Sequence, residues 1–269
     1  MSLDRRTALA AALAAAALPV AASAQGRNQG GNNAATAPGP VRNVVLVHGA
    51  FADGSGWRGV HNLLTQRGYR VSIVQNPLTS LADDVAATRR VIERADGPVI
   101  LVGHSWGGTV ITEAGADPKV AGLVYVSAFS PDVGETTAQQ YEGYGIPAEF
   151  VIDTHADGFG FLRPENFKAG FAADLSDADA AFLRDSQVPI AMSAFSAPTT
   201  RAAWRDRPSW AVIATEDKAI HPRMLRAMAS RIGAQVTEVA ASHVPFVSQP
   251  QAVAGVIEQA AQGSARPAR

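Results

Sequence analysis

Ser105 is the side chain whose neighbours best equip it for chemistry. It stands at the centre of Gly103-His104-Ser105-Trp106-Gly107-Gly108, between the apolar, β-branched run Pro98-Val99-Ile100-Leu101-Val102 and the stretch Thr109-Val110-Ile111-Thr112-Glu113-Ala114. The first reads as a buried strand and the second as a helix. A serine in G-x-S-x-G at such a turn is held in a strained backbone conformation with its hydroxyl beyond the end of the sheet. Small flanking residues then let the helix fold back against the strand. Gly103, Gly107 and Gly108 supply that room. The chemistry this allows is nucleophilic attack by the hydroxyl on an acyl carbon. A glycine-rich phosphate cradle would need G-x-G-x-x-G or G-x-x-x-x-G-K-[ST], and neither pattern occurs in this stretch.

A serine hydroxyl is too weak an acid to attack unaided, so a base must lie within hydrogen-bond reach and a third group must orient that base. Six histidines compete for the first role. His48 and His104 sit in glycine loops, His61 within a helical stretch, His155 in a long insertion, and His221 at the start of a late helix. His243 lies in the loop after the last predicted strand. After a serine elbow the partners follow in the order acid, then histidine, each on a loop after a strand. That order favours His243, with His221 as its rival. For the acid, Glu216 and Asp217 both follow the strand Trp210-Ala211-Val212-Ile213-Ala214. Asp217, three residues beyond Ala214, reaches further around the loop and is favoured, with Glu216 open and Asp132, after an earlier strand, a third choice. Asp153 and Asp157 read as solvated. Paired carboxylates for glycoside chemistry are available, but a serine elbow has no part in that mechanism. No H-E-x-x-H or similar cluster points to a metal, and no cofactor is expected. The chain has no cysteine, which excludes thiol catalysis and thiolate metal sites.

These residues need a scaffold of alternating strands and helices. Val44-Val45-Leu46-Val47 is a buried-type strand running into the small, glycine-rich loop His48 to Gly54, where a free backbone N–H could approach a substrate oxygen. Trp57 to Arg67 has helical spacing, Tyr69 to Val74 reads as a strand, and Ser80 caps a helix with acids in its first turn and Arg89, Arg90 and Arg94 in its later turns. Val120 to Val126 is a strand. A helix over Pro222 to Ile232, a strand over Gln235 to Val239 and an amphipathic helix over Gln249 to Ala261 close the chain. This alternation predicts an α/β fold with a doubly wound, mostly parallel sheet. Between about 131 and 208 the pattern breaks: Pro131, Pro147 and Pro164 interrupt it, aromatics gather, and a helix is evident near Ser176 to Ser186. We read an inserted, mainly helical cap over the strand ends, where open α/β sheets bind ligands.

Residues 1–24 are set aside. Arg5-Arg6 precedes the apolar run Ala8 to Ala22, and Ala22-Ser23-Ala24 is an A-x-A cleavage site. This predicts a removable export signal, with the arginine pair resembling a twin-arginine signal, and hence a periplasmic or secreted protein. Residues 25–40 are Gly, Asn, Ala and Pro with almost no large apolar side chain, and read as a disordered leader. The folded domain is then expected over 41–262. Removing the signal leaves 21 of the 23 basic and 23 of the 24 acidic side chains, mixed along the chain. That balance excludes nucleic acid or an anionic membrane as an evident partner, and the apolar run is too short to span a bilayer.

His48-Gly49-Ala50 with Trp57 downstream, Gly103 to Gly108, Thr215-Glu216-Asp217 and Ser242-His243 together resemble the α/β-hydrolase superfamily. Within it they are most similar to the small esterases related to plant methyl-ester esterases and hydroxynitrile lyases and their bacterial counterparts. The resemblance covers nearly all of 41–261. It implies an α/β-hydrolase fold, Ser105 as nucleophile, Asp217 rather than Glu216 as acid and His243 as base, with an oxyanion hole from the backbone N–H groups of Ala50 and Trp106. It also implies a monomer or homodimer. The lyases of the group carry a threonine where this chain has Gly49 and a lysine where it has Val244. The expectation is therefore a serine carboxylic-ester hydrolase that passes a small, largely apolar substrate through an acyl-enzyme, with Phe51 and Trp106 as candidate substrate contacts. A lyase or perhydrolase on the same triad, or a binding protein of low turnover, are the alternatives.

Overall fold

In a computed structural model the described residues are 41–264, so the signal and leader expected over 1–24 and 25–40 lie outside them. The chain opens with β1 (Asn43–Val47), α1 (Arg58–Gln66) and β2 (Arg70–Val74). There follow α2 (Leu81–Glu93), β3 (Val99–His104), α3 (Trp106–Ala114) and β4 (Val120–Val126). After β4 an insertion carries β5 (Ile152–Thr154), β6 (Phe159–Leu162), α4 (Pro164–Phe171), α5 (Asp177–Asp185) and β7 (Ile190–Ala191). The chain then resumes alternation with β8 (Ser209–Ala214), α6 (Pro222–Arg231) and β9 (Gln235–Val239), and ends in α7 (Pro245–Ser248) and α8 (Pro250–Gly263).

Six strands form one sheet in the order β2-β1-β3-β4-β8-β9, and every pairing is parallel. Every residue of β1, β3 and β8 is buried, as strands covered by helices on both faces require, and their sequences are unbroken apolar runs for that reason. The edge strand β2 alternates between exposed and more buried positions. The helices on the sheet follow from caps and stripes. Ser80 Oγ accepts from Asp83 N–H at the start of α2 at 3.1 Å, and Leu81, Val85 and Ile92 form its buried face.

The order matters for function. From β1 the chain steps outward to β2, then returns across β1 to build β3 and the rest of the sheet. The loops leaving β1 and β3 therefore diverge, and the crevice between them is where open α/β sheets take ligands. The insertion contains more sheet than its sequence suggests: β5, β6 and β7 form a separate three-stranded antiparallel sheet beside the two helices. Strands of two to four residues are too short to display alternation. The one local signal was Asp157-Gly158, where Gly158 turns the hairpin at φ +85°. Among the described residues no helix is long and apolar enough to cross a membrane.

Candidate active site

Ser105 links β3 directly to α3 with φ 50° and ψ −121°, a conformation rare for a side chain with a Cβ. Its carbonyl accepts from Gly108 N–H at 2.9 Å and Phe129 N–H at 3.3 Å, and its own N–H donates to Val126 O at 3.3 Å, so the backbone around it is fixed at the site. The elbow is so tight that its glycines are obligatory. A Cβ on Gly103 would lie 2.4 Å from Gly107 O, one on Gly107 2.7 Å from Val47 O, and one on Gly108 2.2 Å from Phe129 O. All three neighbours are backbone atoms and cannot swing aside. Gly108→Ala is expected to destabilise the protein by about 3 kcal/mol. At 2–4 °C per kcal/mol that is a fall in Tm of roughly 6–12 °C, and thermal unfolding with no fall would show that the elbow can open.

Asp217 and His243 are brought together by the pairing of β8 and β9, which sets Ala214 level with Val239. The pairing persists beyond the strands, with Thr215 N–H to Val239 O at 2.9 Å and Glu216 N–H to Ala241 O at 3.1 Å. Two loops held in step in this way converge at their tips. His243 Nδ1 and Asp217 Oδ2 lie 2.7 Å apart, with both side chains excluded from solvent. Asp217 Oδ1 accepts from Ala219 and Ile220 N–H, each at 2.8 Å. Three donors thus fix the carboxylate, so Nδ1 of His243 carries the hydrogen and Nε2 is left bare. Among the described residues Nε2 has no hydrogen-bond partner, and no hydrogen bond joins it to Ser105 Oγ.

His104, the residue before the serine, holds His243 from the other side. Its Nε2–H donates to the carbonyl of His243 at 2.9 Å, and the two rings lie 4.6 Å apart. Burial, and then the neighbouring His243, hold the His104 imidazole well below the usual histidine range, so it is neutral. Phe171 closes on His243 edge-on at 4.9 Å. Neither partner is predictable from sequence, since His104 reads only as a variable elbow position and Phe171 as one of several insertion aromatics.

The loop after β1 runs beside the elbow because Val47 is paired with Gly103. A Cβ on Gly49 would come 2.8 Å from Ser105 Cβ, so only glycine permits this approach. His48 pins the loop: its Nε2 accepts from Asn76 N–H at 2.9 Å, leaving Nδ1–H to donate to Gly49 O at 2.8 Å. Its burial lowers the His48 pKa and keeps that tautomer neutral. Phe51 has φ 59°, and among the described residues the Ala50 N–H donates to no backbone carbonyl. The Trp106 N–H, first in α3, is likewise free of a backbone partner, as helix starts are. Both can serve an oxygen bearing negative charge.

Ser105 opens on a cavity of about 180 Å³ lined by Ala50, Phe51 and Phe129 and by side chains of the insertion, among them Tyr141, Phe150, Met192 and Phe195. Apart from Ser105 and the Tyr141 hydroxyl, which donates to Ala219 O at 3.1 Å, the lining is apolar. Burial and the charge of Asp217 push the Tyr141 pKa up, so the phenol keeps its proton. Of the two expected substrate contacts, Phe51 lines the cavity and the Trp106 ring does not. The indole is buried, edge-on to Phe195 at 5.4 Å, and its Nε1–H donates to Asp84 Oδ2 at 2.7 Å. A buried indole N–H needs an acceptor, and the acceptor lies away from the cavity.

The competing candidates have other occupations. Glu216 is exposed, Asp132 pairs with Arg205 at 2.6 Å, and His221 caps α6 by accepting from Arg223 N–H at 3.1 Å. The His61 ring meets the side chain of its neighbour Asn62 at 3.2 Å on the exposed side of α1, and His155 is exposed on the β5–β6 turn.

Comparison with known proteins finds relatives of this chain. Residues 44–256 match the model of the alpha/beta hydrolase family. A pyrethroid hydrolase of Sphingobium wenxiniae is 29% identical over 261 residues, covering 84% of this chain and 89% of that protein. Among solved structures, a pyrethroid hydrolase superposes with a TM-score of 0.73 at 24% identity, covering 84% of this chain and all of the other. Polyneuridine aldehyde esterase superposes at 0.70 with 20% identity, covering 81% and 98%. At these identities the two structures speak for the fold alone.

Proposed function

We propose that this chain, which belongs to the alpha/beta hydrolase family, is a serine carboxylic-ester hydrolase acting on a small, largely apolar ester. The observation that carries the reading is the buried Asp217–His243 bond of 2.7 Å, which leaves Nε2 bare on the ring packed against the elbow that presents Ser105. In this mechanism His243 Nε2 takes the Ser105 proton as Oγ attacks the ester carbonyl. Asp217 holds the tautomer and stabilises the imidazolium. The oxyanion rests on the Ala50 and Trp106 amides, each such donor being worth roughly 3 kcal/mol in comparable sites. His243 then protonates the leaving alcohol, and water cleaves the acyl-enzyme by the reverse path. The names of the relatives, hydrolases and esterases, support this class. Gly49 and Val244 count against cyanohydrin cleavage, for which the resembling lyases use threonine and lysine.

The insertion serves as a cap, since its side chains roof the cavity. The Arg5-Arg6 pair and the Ala22-Ser23-Ala24 site support export to the periplasm or beyond. At about 180 Å³ the cavity is below the ~300–1,000 Å³ of sites for drug-sized ligands. In a panel of p-nitrophenyl esters, kcat/KM is expected to peak at short acyl chains and fall by on the order of tenfold or more once the chain outgrows the cavity. Absence of hydrolysis across the panel and across aryl methyl esters would overturn the reading.

A further inference from the structure

Asp84 is wholly buried in the first turn of α2, yet no cation pairs with it among the described residues. Helix capping does not explain it. Ser80 and the exposed Asp83 next to it already perform that task, with Asp83 Oδ2 accepting from the hydroxyls of Thr79 and Ser80 at 2.7 Å each. A buried carboxylate without a counter-charge is costly and persists only where its hydrogen bonds are needed. Burial pushes its pKa up to about 6, the direction expected for a carboxylate taken out of water.

The two hydrogen bonds of Asp84 go to two different parts of the site. Oδ2 accepts from the Trp106 indole at 2.7 Å, and Trp106 supplies one of the two amides facing the oxyanion. Oδ1 accepts from Leu78 N–H at 2.8 Å. Leu78 has φ 57°, and its carbonyl accepts from Ala191 N–H at 2.9 Å. Ala191 precedes Met192, which lines the cavity with Phe195, and Phe195 meets the Trp106 ring edge-on at 5.4 Å. The connections therefore form a closed loop: carboxylate, indole, Phe195, the 191–195 segment, Leu78, and back to the carboxylate.

We propose that Asp84 is a positioning residue of the active site, clamping the nucleophile elbow through Trp106 and the wall of the acyl cavity through Leu78. This rests on the hydrolase reading above, in which the Trp106 amide receives the oxyanion. The residue type follows from the chemistry. Two N–H donors facing the two oxygens require a group that accepts at both, and an amide presents N–H to one of them.

The test compares wild type, Asp84→Asn, Trp106→Phe and the double variant. Ser105 is titrated with a fluorophosphonate, and kcat and KM for a short-acyl p-nitrophenyl ester are expressed per titrated serine, so loss of folded material does not enter kcat. Asp84→Asn is expected to lower kcat by on the order of tenfold, since misplacement of catalytic groups by a fraction of an ångström is enough for that, and to raise KM. Trp106→Phe lowers kcat similarly, and the double variant falls no further than the weaker single. An unchanged kcat in Asp84→Asn, or losses that multiply in the double variant, overturns the clamp. If Asp84→Asn yields no folded protein, Trp106→Phe decides: a kcat per titrated serine equal to wild type overturns it. Wild type that is not labelled at Ser105 overturns the hydrolase reading and the clamp together, whereas a labelled wild type with an unaffected Asp84→Asn removes the clamp alone.

Discussion

Ser105→Ala is expected to lower kcat for a short-acyl ester by about 10⁵–10⁶-fold, with KM changed little. Removal of the nucleophile of a triad leaves only what the oxyanion donors and binding can do by themselves, roughly 10³–10⁴-fold over water. The split between kcat and KM follows from the lining of the cavity. That lining is made of apolar side chains such as Phe51, Phe150 and Phe195, which on the hydrolase reading would make the contacts to substrate and none of which the substitution alters. The fold should also be indifferent. Ser105 Oγ makes no hydrogen bond among the described residues, and alanine keeps the same Cβ at φ 50°, so Tm should move by less than about 2 °C, within the range of a near-neutral substitution. The measurement is steady-state hydrolysis by purified variant beside wild type, with thermal unfolding as the control. Retained hydrolysis at a wild-type rate would show that the nucleophile is another group.

The framework of the fold was legible because burial on both faces leaves an unmistakable trace. Val44 to Val47, Val99 to Val102 and Trp210 to Ala214 are apolar without interruption since helices cover both sides of those strands. The elbow was legible for a different reason: the backbone approach at Gly103, Gly107 and Gly108 admits no Cβ, so the chemistry of the turn is written in residue types. The insertion was legible only in part: its helix near Ser176 to Ser186 shows in the sequence, but its strands are two to four residues long, β7 reaches β6 from a distant part of the chain, Ile190 beside Gly160, and only the Asp157-Gly158 turn marks the β5–β6 hairpin. The network beneath the site was hidden as well. Asp83 and Asp84 look interchangeable as first-turn acids, but one faces solvent and the other reaches Trp106 across 22 positions. Trp106 illustrates the limit from the other direction. Its place beside the serine suggested a substrate contact, whereas the need of a buried indole N–H for an acceptor turned the ring toward Asp84. Spacing can say that a residue is near a site; it does not say which way the side chain points.

That limit bears most on the acid, where residue types and spacing left Glu216 and Asp217 both open. The folded chain separates them by hydrogen bonding: Asp217 is buried against His243 Nδ1 and Glu216 is exposed. Asp217→Asn is expected to lower kcat by about 10⁴-fold, while Glu216→Gln and Asp132→Asn stay within about twofold of wild type. The size of the first effect comes from the tautomer. The Ala219 and Ile220 N–H groups, each 2.8 Å from Oδ1, demand an oxygen at that position, so the amide of an asparagine is forced to place its NH₂ toward His243. His243 must then accept at Nδ1, which moves its hydrogen to Nε2 and removes the one acceptor able to take the Ser105 proton. No rotation of the amide escapes this, because flipping it would set the NH₂ against two backbone donors at once. Because Asn is nearly isosteric with Asp, the loss should appear in kcat with Ser105 still present in a folded protein. The check is kcat for the three variants under one set of conditions with Tm recorded for each. A Glu216→Gln variant that loses activity while Asp217→Asn retains it would assign the acid to the wrong neighbour here and require the 215–221 loop to rearrange before catalysis.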